Sequence, residues 1–495
     1  MPILGISTGF HDAAISLISE HGDILFAGHA ERYSKIKNDA NLNQALMDEL
    51  NEYGPIDEVA YYERPWAKQL RQWYSGQGIE WNKLDAKKIV TDQLNGNFEF
   101  AGKVQTFNHH LSHAASGFQT SPFKDAVVVV CDAIGEWDTA TIWEAHYDTH
   151  GRAQYKKLWG QKYPHSLGLF YSAITQRIGL KPNEDEYILM GMAGWGKPIW
   201  FDQMYRGCVN SLDSFTFTQN FHTGVSPEFL EGAKDEDIAA SAQAVAEWAV
   251  LRLIDKAHML SDSRNLVYMG GVALNCSINA ELGRYFTDIW IMPNPGDAGS
   301  SLGAAALAYG RKLNWKDAFL GHDIPGAYPV KDLLDELLTN KIVGVASGRA
   351  EFGPRALGNR SLLADPRGAE IKDKVNEIKR RQKFRPFAPV IMEEHVDDYF
   401  VMPNGWRNSR YMQTIAHCRH PDLYPAIVHV DGTSRVQTVG RDDQSGIRKL
   451  LEAWYILTGC PMLLNTSLNI KGEPMVNDRA DADRFEQRYG VKVCS

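Results

Sequence analysis

A chain of 495 residues exceeds what one hydrophobic core ordinarily serves, so two or more domains are expected. Its 44% hydrophobic and 23% charged residues exclude a disordered chain, and no apolar run is long enough to span a membrane. The formal net charge of -9 opposes a broad nucleic-acid footprint while leaving room for a local basic patch.

From the N-terminus, residues 3–8, 13–19 and 24–28 read as strands, with a polar turn holding His11 and Asp12 after the first. The opening residues are strand-like rather than a basic leader. Six cysteines without a CxxC pair predict free thiols, and together these features predict a cytoplasmic protein. A strand, a tight polar turn and a returning strand is how actin-like ATPase domains begin, and the turn offers backbone amides to a phosphate. That places His11 beside a nucleotide.

The stretch from Glu63 to Lys88 interleaves Trp66, Trp73, Tyr74 and Trp81 with six basic and three acidic residues. Two readings fit it. An amphipathic helical hairpin that packs its tryptophans onto the domain is the simpler; a surface for stacked bases and phosphates is the other.

Asn108-His109-His110-Leu111-Ser112-His113 opens a helix into an alanine-rich run. His109 and His113, four apart, share one face and can hold one divalent metal. A third ligand is offered by Asp297, flanked by glycines ahead of an alanine-rich helix over 302–309. Two imidazoles and a carboxylate suit Fe(II), with Mn or Zn as alternatives. Between these motifs, residues 126–130 form a buried-type strand running into an acidic turn with Asp132 and Glu136, expected to face a metal-bound phosphate. Residues 266–269 form a second such strand, leading to Gly270, Gly271 and Asn275, where paired glycines let a helix N-terminus approach a ribose or phosphate. Farther on, Arg349, Arg355 and Arg360 lie among glycines and a proline, which predicts a pocket for a small anion.

Several blocks in order carry a resemblance: Gly9-Phe10-His11-Asp12-Ala13-Ala14, Asn108-His109-His110-Leu111-Ser112-His113-Ala114, Pro164-His165-Ser166-Leu167-Gly168, Met269-Gly270-Gly271-Val272-Ala273-Leu274-Asn275, Asp297-Ala298-Gly299, Phe352-Gly353-Pro354-Arg355-Ala356-Leu357-Gly358, Phe384-Arg385-Pro386-Phe387-Ala388-Pro389 and Asn465-Thr466-Ser467. The chain resembles the O-carbamoyltransferase family of the tobramycin and nodulation-factor type. The resemblance implies an α/β protein with two domains. Residues 1–325 would form an actin-like ATPase domain, similar to the tRNA threonylcarbamoyl transferases, that performs carbamoyl transfer. Residues 336–495 would form an α/β domain like the threonylcarbamoyl-AMP synthases, binding carbamoyl phosphate and making carbamoyl-adenylate with ATP and Mg.

It further implies His11 as general base, His109, His113 and Asp297 as metal ligands, and Arg355, Lys379, Arg385, Arg435, Lys471, Asn465 and Ser467 around carbamoyl phosphate. Nucleotide contacts would come from Asp12, Lys37, Asp132, Glu136, Gly270, Gly271 and Asn275. The acceptor is a hydroxyl on a small natural product or sugar, or on a hydroxymethylated base in DNA. A homodimer is the default assembly. The competing readings are threonylcarbamoyl transfer to tRNA and a non-catalytic nucleotide sensor.

Overall fold

A computed structural model describes residues 2–56, 58–94, 102–382 and 385–495. Phe384, part of one family block, lies outside the described residues. Two compact units emerge: Met1–Ala30 with Asn38–Lys316, and Glu31–Lys37 with Asp317–Ser495. The division lies at Lys316, and the strand Phe319–Ile324 that follows pairs antiparallel with Gly348–Glu351 of the second unit. Glu31–Lys37 joins that unit through Arg32, whose guanidinium donates to the carbonyl of Gly353 at 3.0 Å, and through an ion pair of Lys35 with Asp481.

The first unit is built twice on one plan. Its first sheet runs, in spatial order, Ile24–His29, Ala14–Ile18, Ile3–Ser7, Glu58–Tyr61 and Lys103–Thr106. The first three strands are antiparallel to their neighbours, and the last two add in parallel. The second sheet repeats this with Ala153–Lys162, Asp138–Tyr147, Asp125–Gly135, Asn265–Met269 and Asp288–Trp290. Such duplication is the arrangement expected of an actin-like ATPase domain. The β-branched run Val127–Val130 is wholly buried, as a strand covered on both faces requires.

Two helices lie where the halves meet. His109–Thr120, capped by the Asn108 side chain on the Leu111 amide, packs against Ser300–Tyr309. Their backbones approach so closely that a Cβ at Gly303 would sit 1.8 Å from the Ser112 carbonyl oxygen. One sequence expectation is corrected here. The strand over 126–130 does not end in an acidic turn at Asp132 but continues to Gly135, and the chain reverses at Glu136 and Trp137.

The second unit carries a six-stranded mixed sheet in the order Gln437–Val439, Ala388–Met392, Met462–Ser467, Arg360–Ala364, Ile342–Ala346 and Val493–Cys494. Helices Val330–Asn340 and Gly446–Thr458 cover it with Leu333, Leu337, Ile447, Leu450, Leu451 and Trp454. All six cysteines are free thiols. No helix among the described residues is long and apolar enough to cross a membrane.

Candidate active site

Helical spacing puts His109 and His113 on one face, and both rings are buried, with their Nε2 atoms 3.1 Å apart. Asp297, at the start of the turn before Ser300–Tyr309, brings Oδ1 to 3.3 Å from each of these nitrogens. Asp132, from inside the long strand, brings Oδ2 to 3.1 Å from His113 and 3.6 Å from His109. All four ligand atoms lie within 4.8 Å of one another. Sequence reasoning placed Asp132 against a phosphate. The strand also brings it to the histidines, a pairing invisible without the fold.

The chemistry of this donor set fits a cation. His113 Nδ1 is 3.1 Å from the Pro295 carbonyl, which can only accept, so Nδ1 carries the proton and Nε2 presents its lone pair inward. His109 Nε2 faces that lone pair at 3.1 Å beside two carboxylates, so a proton on His109 Nε2 or a bound cation satisfies the cluster. Despite the opposing effect of burial, Asp297 and Asp132 hold the His109 pKa well above the usual value and raise that of His113. In return, the histidines outweigh burial and hold both carboxylates below the usual range. For a metal bonded at about 2.1 Å, adjacent donor atoms lie about 3.0–3.4 Å apart, close to the 3.1–3.6 Å found between the histidine nitrogens and the carboxylate oxygens here. The third histidine of the motif is excluded from this set. His110 turns its Nδ1 to the Thr141 hydroxyl at 2.9 Å, and burial drives its pKa far down.

His11 sits at the rim, its side chain 30% exposed, with Nδ1 3.0 Å from Asp12 and Nε2 3.9 Å from Asp297 Oδ2. Burial lowers its pKa, but the Asp12 hydrogen bond and the charges of Asp297 and Asp132 outweigh that and raise it to about 9. Asp12 is thus occupied with the histidine. Asp132 links the cluster to the glycine turn: its Oδ1 accepts from the Ala133 amide at 2.8 Å and the Gly271 amide at 3.4 Å. Gly270 is required there, because a Cβ would lie 2.2 Å from the Cys131 carbonyl oxygen. The Asn275 side chain caps its own helix on Ile278 and exchanges a hydrogen bond with Gln243.

The Glu136 carboxylate is buried and accepts from Arg64, Asn108 and the His109 amide. The helix Pro65–Tyr74 also reverses the simpler expectation for its segment. Ala67, Gln69 and Arg71 are buried, whereas Trp66, Leu70, Trp73 and Tyr74 face solvent, as does Trp81 beyond it. Lys68 and Arg64 are drawn inward to the buried acids Glu63 and Glu136 at 2.8 and 2.6 Å, which leaves the aromatics outside.

In the second unit, the predicted anion pocket is only partly available. Arg360 is completely buried and donates to the carbonyls of Asn477, Ser347, Gly348, Asn359 and His322. Arg349 donates to the carbonyls of Leu320 and Gly321. These two hold the loop, as does Glu351, which gathers the amides of Leu357, Asn359 and Arg360. Arg355 is half-buried at its tip. Lys379 is buried and surrounded by the oxygens of Ser467 and Asn469, four contacts for three N–H groups. Burial, then Arg381, Arg385 and Lys37, drives its pKa far down. Lys37 therefore adds charge to this basic cluster, and Arg381 is a member that sequence reasoning missed. Arg435 Nε and Asn465 Oδ1 are buried with no hydrogen-bond partner among the described residues. The Asn465 amide meanwhile donates to Ala356 and Gln437, tying its strand to the Arg355 loop. Lys471 is exposed.

Comparison with known proteins matches residues 56–306 to a family described as carbamoyltransferase N-terminus and 334–494 to carbamoyltransferase C-terminus. An uncharacterized protein of Synechocystis is 34% identical, over 98% of this chain and 94% of its own. Nodulation protein NolNO of Sinorhizobium fredii is 30% identical, over 96% and 76%. Nodulation protein U of Rhizobium tropici is 28% identical, over 97% and 93%.

Proposed function

The chain belongs to the carbamoyltransferase family, and from that premise we propose an ATP-dependent O-carbamoyltransferase that makes carbamoyl-adenylate from carbamoyl phosphate, water and ATP, with phosphate and pyrophosphate released. The carbamoyl group then passes to an acceptor hydroxyl: the acceptor oxygen bonds to the carbamoyl carbon, the bond from that carbon to the adenylate oxygen breaks, and AMP leaves. His11, in the neutral form that a cation offsetting the Asp297 and Asp132 charges would favour, takes the hydroxyl proton as attack proceeds, because an alcohol is a poor nucleophile at neutral pH. The observation that carries this reading is His11 Nε2 at the edge of the His109, His113, Asp132 and Asp297 cluster, 3.9 Å from Asp297. Those four side chains would hold a divalent cation, Fe(II) first and Mn or Zn next, which supplies positive charge against the departing adenylate.

The actin-like fold and the glycine turn beside Asp132 support ATP, with Mg, as the nucleotide. Arg355, Arg385, Arg435, Asn465 and Ser467 form the carbamoyl-phosphate site, with Lys37 and Arg381 contributing charge. Lys379 shapes that site from behind. The test supplies ATP, carbamoyl phosphate and a panel of alcohols: AMP and a carbamate ester appear together, and absence of AMP with metal present refutes the reading.

The outward face of Pro65–Tyr74 favours an acceptor with a ring that can stack, a hydroxymethylated base in DNA among them; Trp66, Trp73 and Trp81 are 54%, 60% and 76% exposed. DNA binding that falls with salt and with Trp73→Ala supports it. Full activity on small alcohols, indifferent to Trp73, removes it.

A further inference from the structure

Glu136 occupies a place that its backbone disfavours. It is the first residue of a two-residue hairpin loop between Gly135 and Asp138, and its φ is +55°, where glycine is the usual occupant. A non-glycine residue there brings to the turn a side chain that glycine would lack. That side chain is 1% exposed and collects donors from two directions. From one side come the Arg64 amide at 2.7 Å and the Arg64 guanidinium at 2.6 Å, and Arg71 Nε donates to the Glu136 carbonyl at 3.2 Å. From the other come Asn108 Nδ2 at 3.1 Å and the His109 amide at 3.3 Å. Asn108 caps the helix that carries both histidines. The strand end presses on the same rings, since a Cβ at Gly135 would lie 2.5 Å from the His110 ring and 2.6 Å from that of His109.

We infer that Glu136 is a positioning residue for the cation site: its carboxylate fixes the first turn of His109–Thr120 and thereby the aim of the His109 and His113 Nε2 atoms. The inference rests on the cation-site reading above. A carboxylate is the right group because it accepts several N–H bonds at once, two of them charge-assisted from Arg64. Arg64 in turn neutralises it, so no unpaired charge is buried.

The test titrates Co(II) into the metal-free full-length protein and reads affinity together with the visible Co(II) absorption. Glu136→Gln and Glu136→Gly each weaken Co(II) binding by about 10- to 100-fold and alter the band shape. The glycine variant is the sharper, since it relieves the backbone and should fold at least as readily at the turn. If either variant is unfolded by circular dichroism, Arg64→Gln, which leaves Glu136 in place, shows the same direction of loss. Affinity and spectrum indistinguishable from the parent in the folded variants overturn the inference and leave the cation site standing. A parent protein that takes up no Co(II) overturns the cation site itself, and this inference with it.

Discussion

The two units gather charge in opposite ways. In the first, groups of opposite sign point at one spot: Asp132 and Asp297 oxygens lie 3.1–3.6 Å from two imidazole nitrogens, and the cluster is complete when a cation or protons occupy it. In the second, groups of one sign are collected, and the protein uses most of them on its own backbone. Arg360, Arg349 and Lys379 are satisfied by carbonyls, while Arg435 keeps a buried N–H with no partner among the described residues. A cation site can be prebuilt because its ligands attract protons and one another. An anion site must hold like charges apart, and backbone oxygens are what hold them.

The largest effect expected from this contrast is at Asp297. Asp297→Asn removes one of two charged ligands and lowers divalent-metal affinity by more than about 100-fold, beyond the loss typical of outer partners; near-parental metal content after dialysis contradicts it. Next, His11→Asn lowers carbamoyl transfer by about 10²–10⁴-fold while carbamoyl-adenylate still forms, and equal loss of both steps would refute the base role. Third, Lys379→Met destabilises the protein by about 1–3 kcal/mol, because it strips the hydrogen bonds from the half-buried oxygens of Ser467 and Asn469. Denaturant unfolding measures it, and an unchanged midpoint with weakened substrate binding would move Lys379 from scaffold to ligand.

The smallest effect is in pH. The raised imidazole values mean that the metal-free cluster holds protons at neutral pH, so metal uptake expels them and affinity rises with pH. The His11 contribution to metal-free stability is complete below about 6.5 and is lost as pH rises through about 9. A melting temperature that climbs across this range in chelator would contradict it.

What could be read without the fold followed local rules. The strands near 3–8, 13–19 and 24–28 appear at Ile3–Ser7, Ala14–Ile18 and Ile24–His29, since alternation and turn residues decide them. The face shared by His109 and His113 follows from helical spacing. Long-range features were hidden. Asp132 and Glu136 look alike in sequence, yet the strand sends one to the histidines and the hairpin turn buries the other. The tryptophans of Pro65–Tyr74 look like core until two buried acids claim the basic residues beside them. Lys37 is close in sequence to the phosphate turn, but its segment folds with the second unit. In each case a distant partner, not local propensity, settled the outcome.

The division of labour between the units is tested most directly with Arg435→Ala. Given ATP and carbamoyl phosphate, this variant should form no carbamoyl-adenylate; given carbamoyl-adenylate prepared beforehand and an alcohol that the parent accepts, it should release AMP and the carbamate ester at the parental rate. Failure in both assays by a folded variant, or retention of the first, would contradict the account.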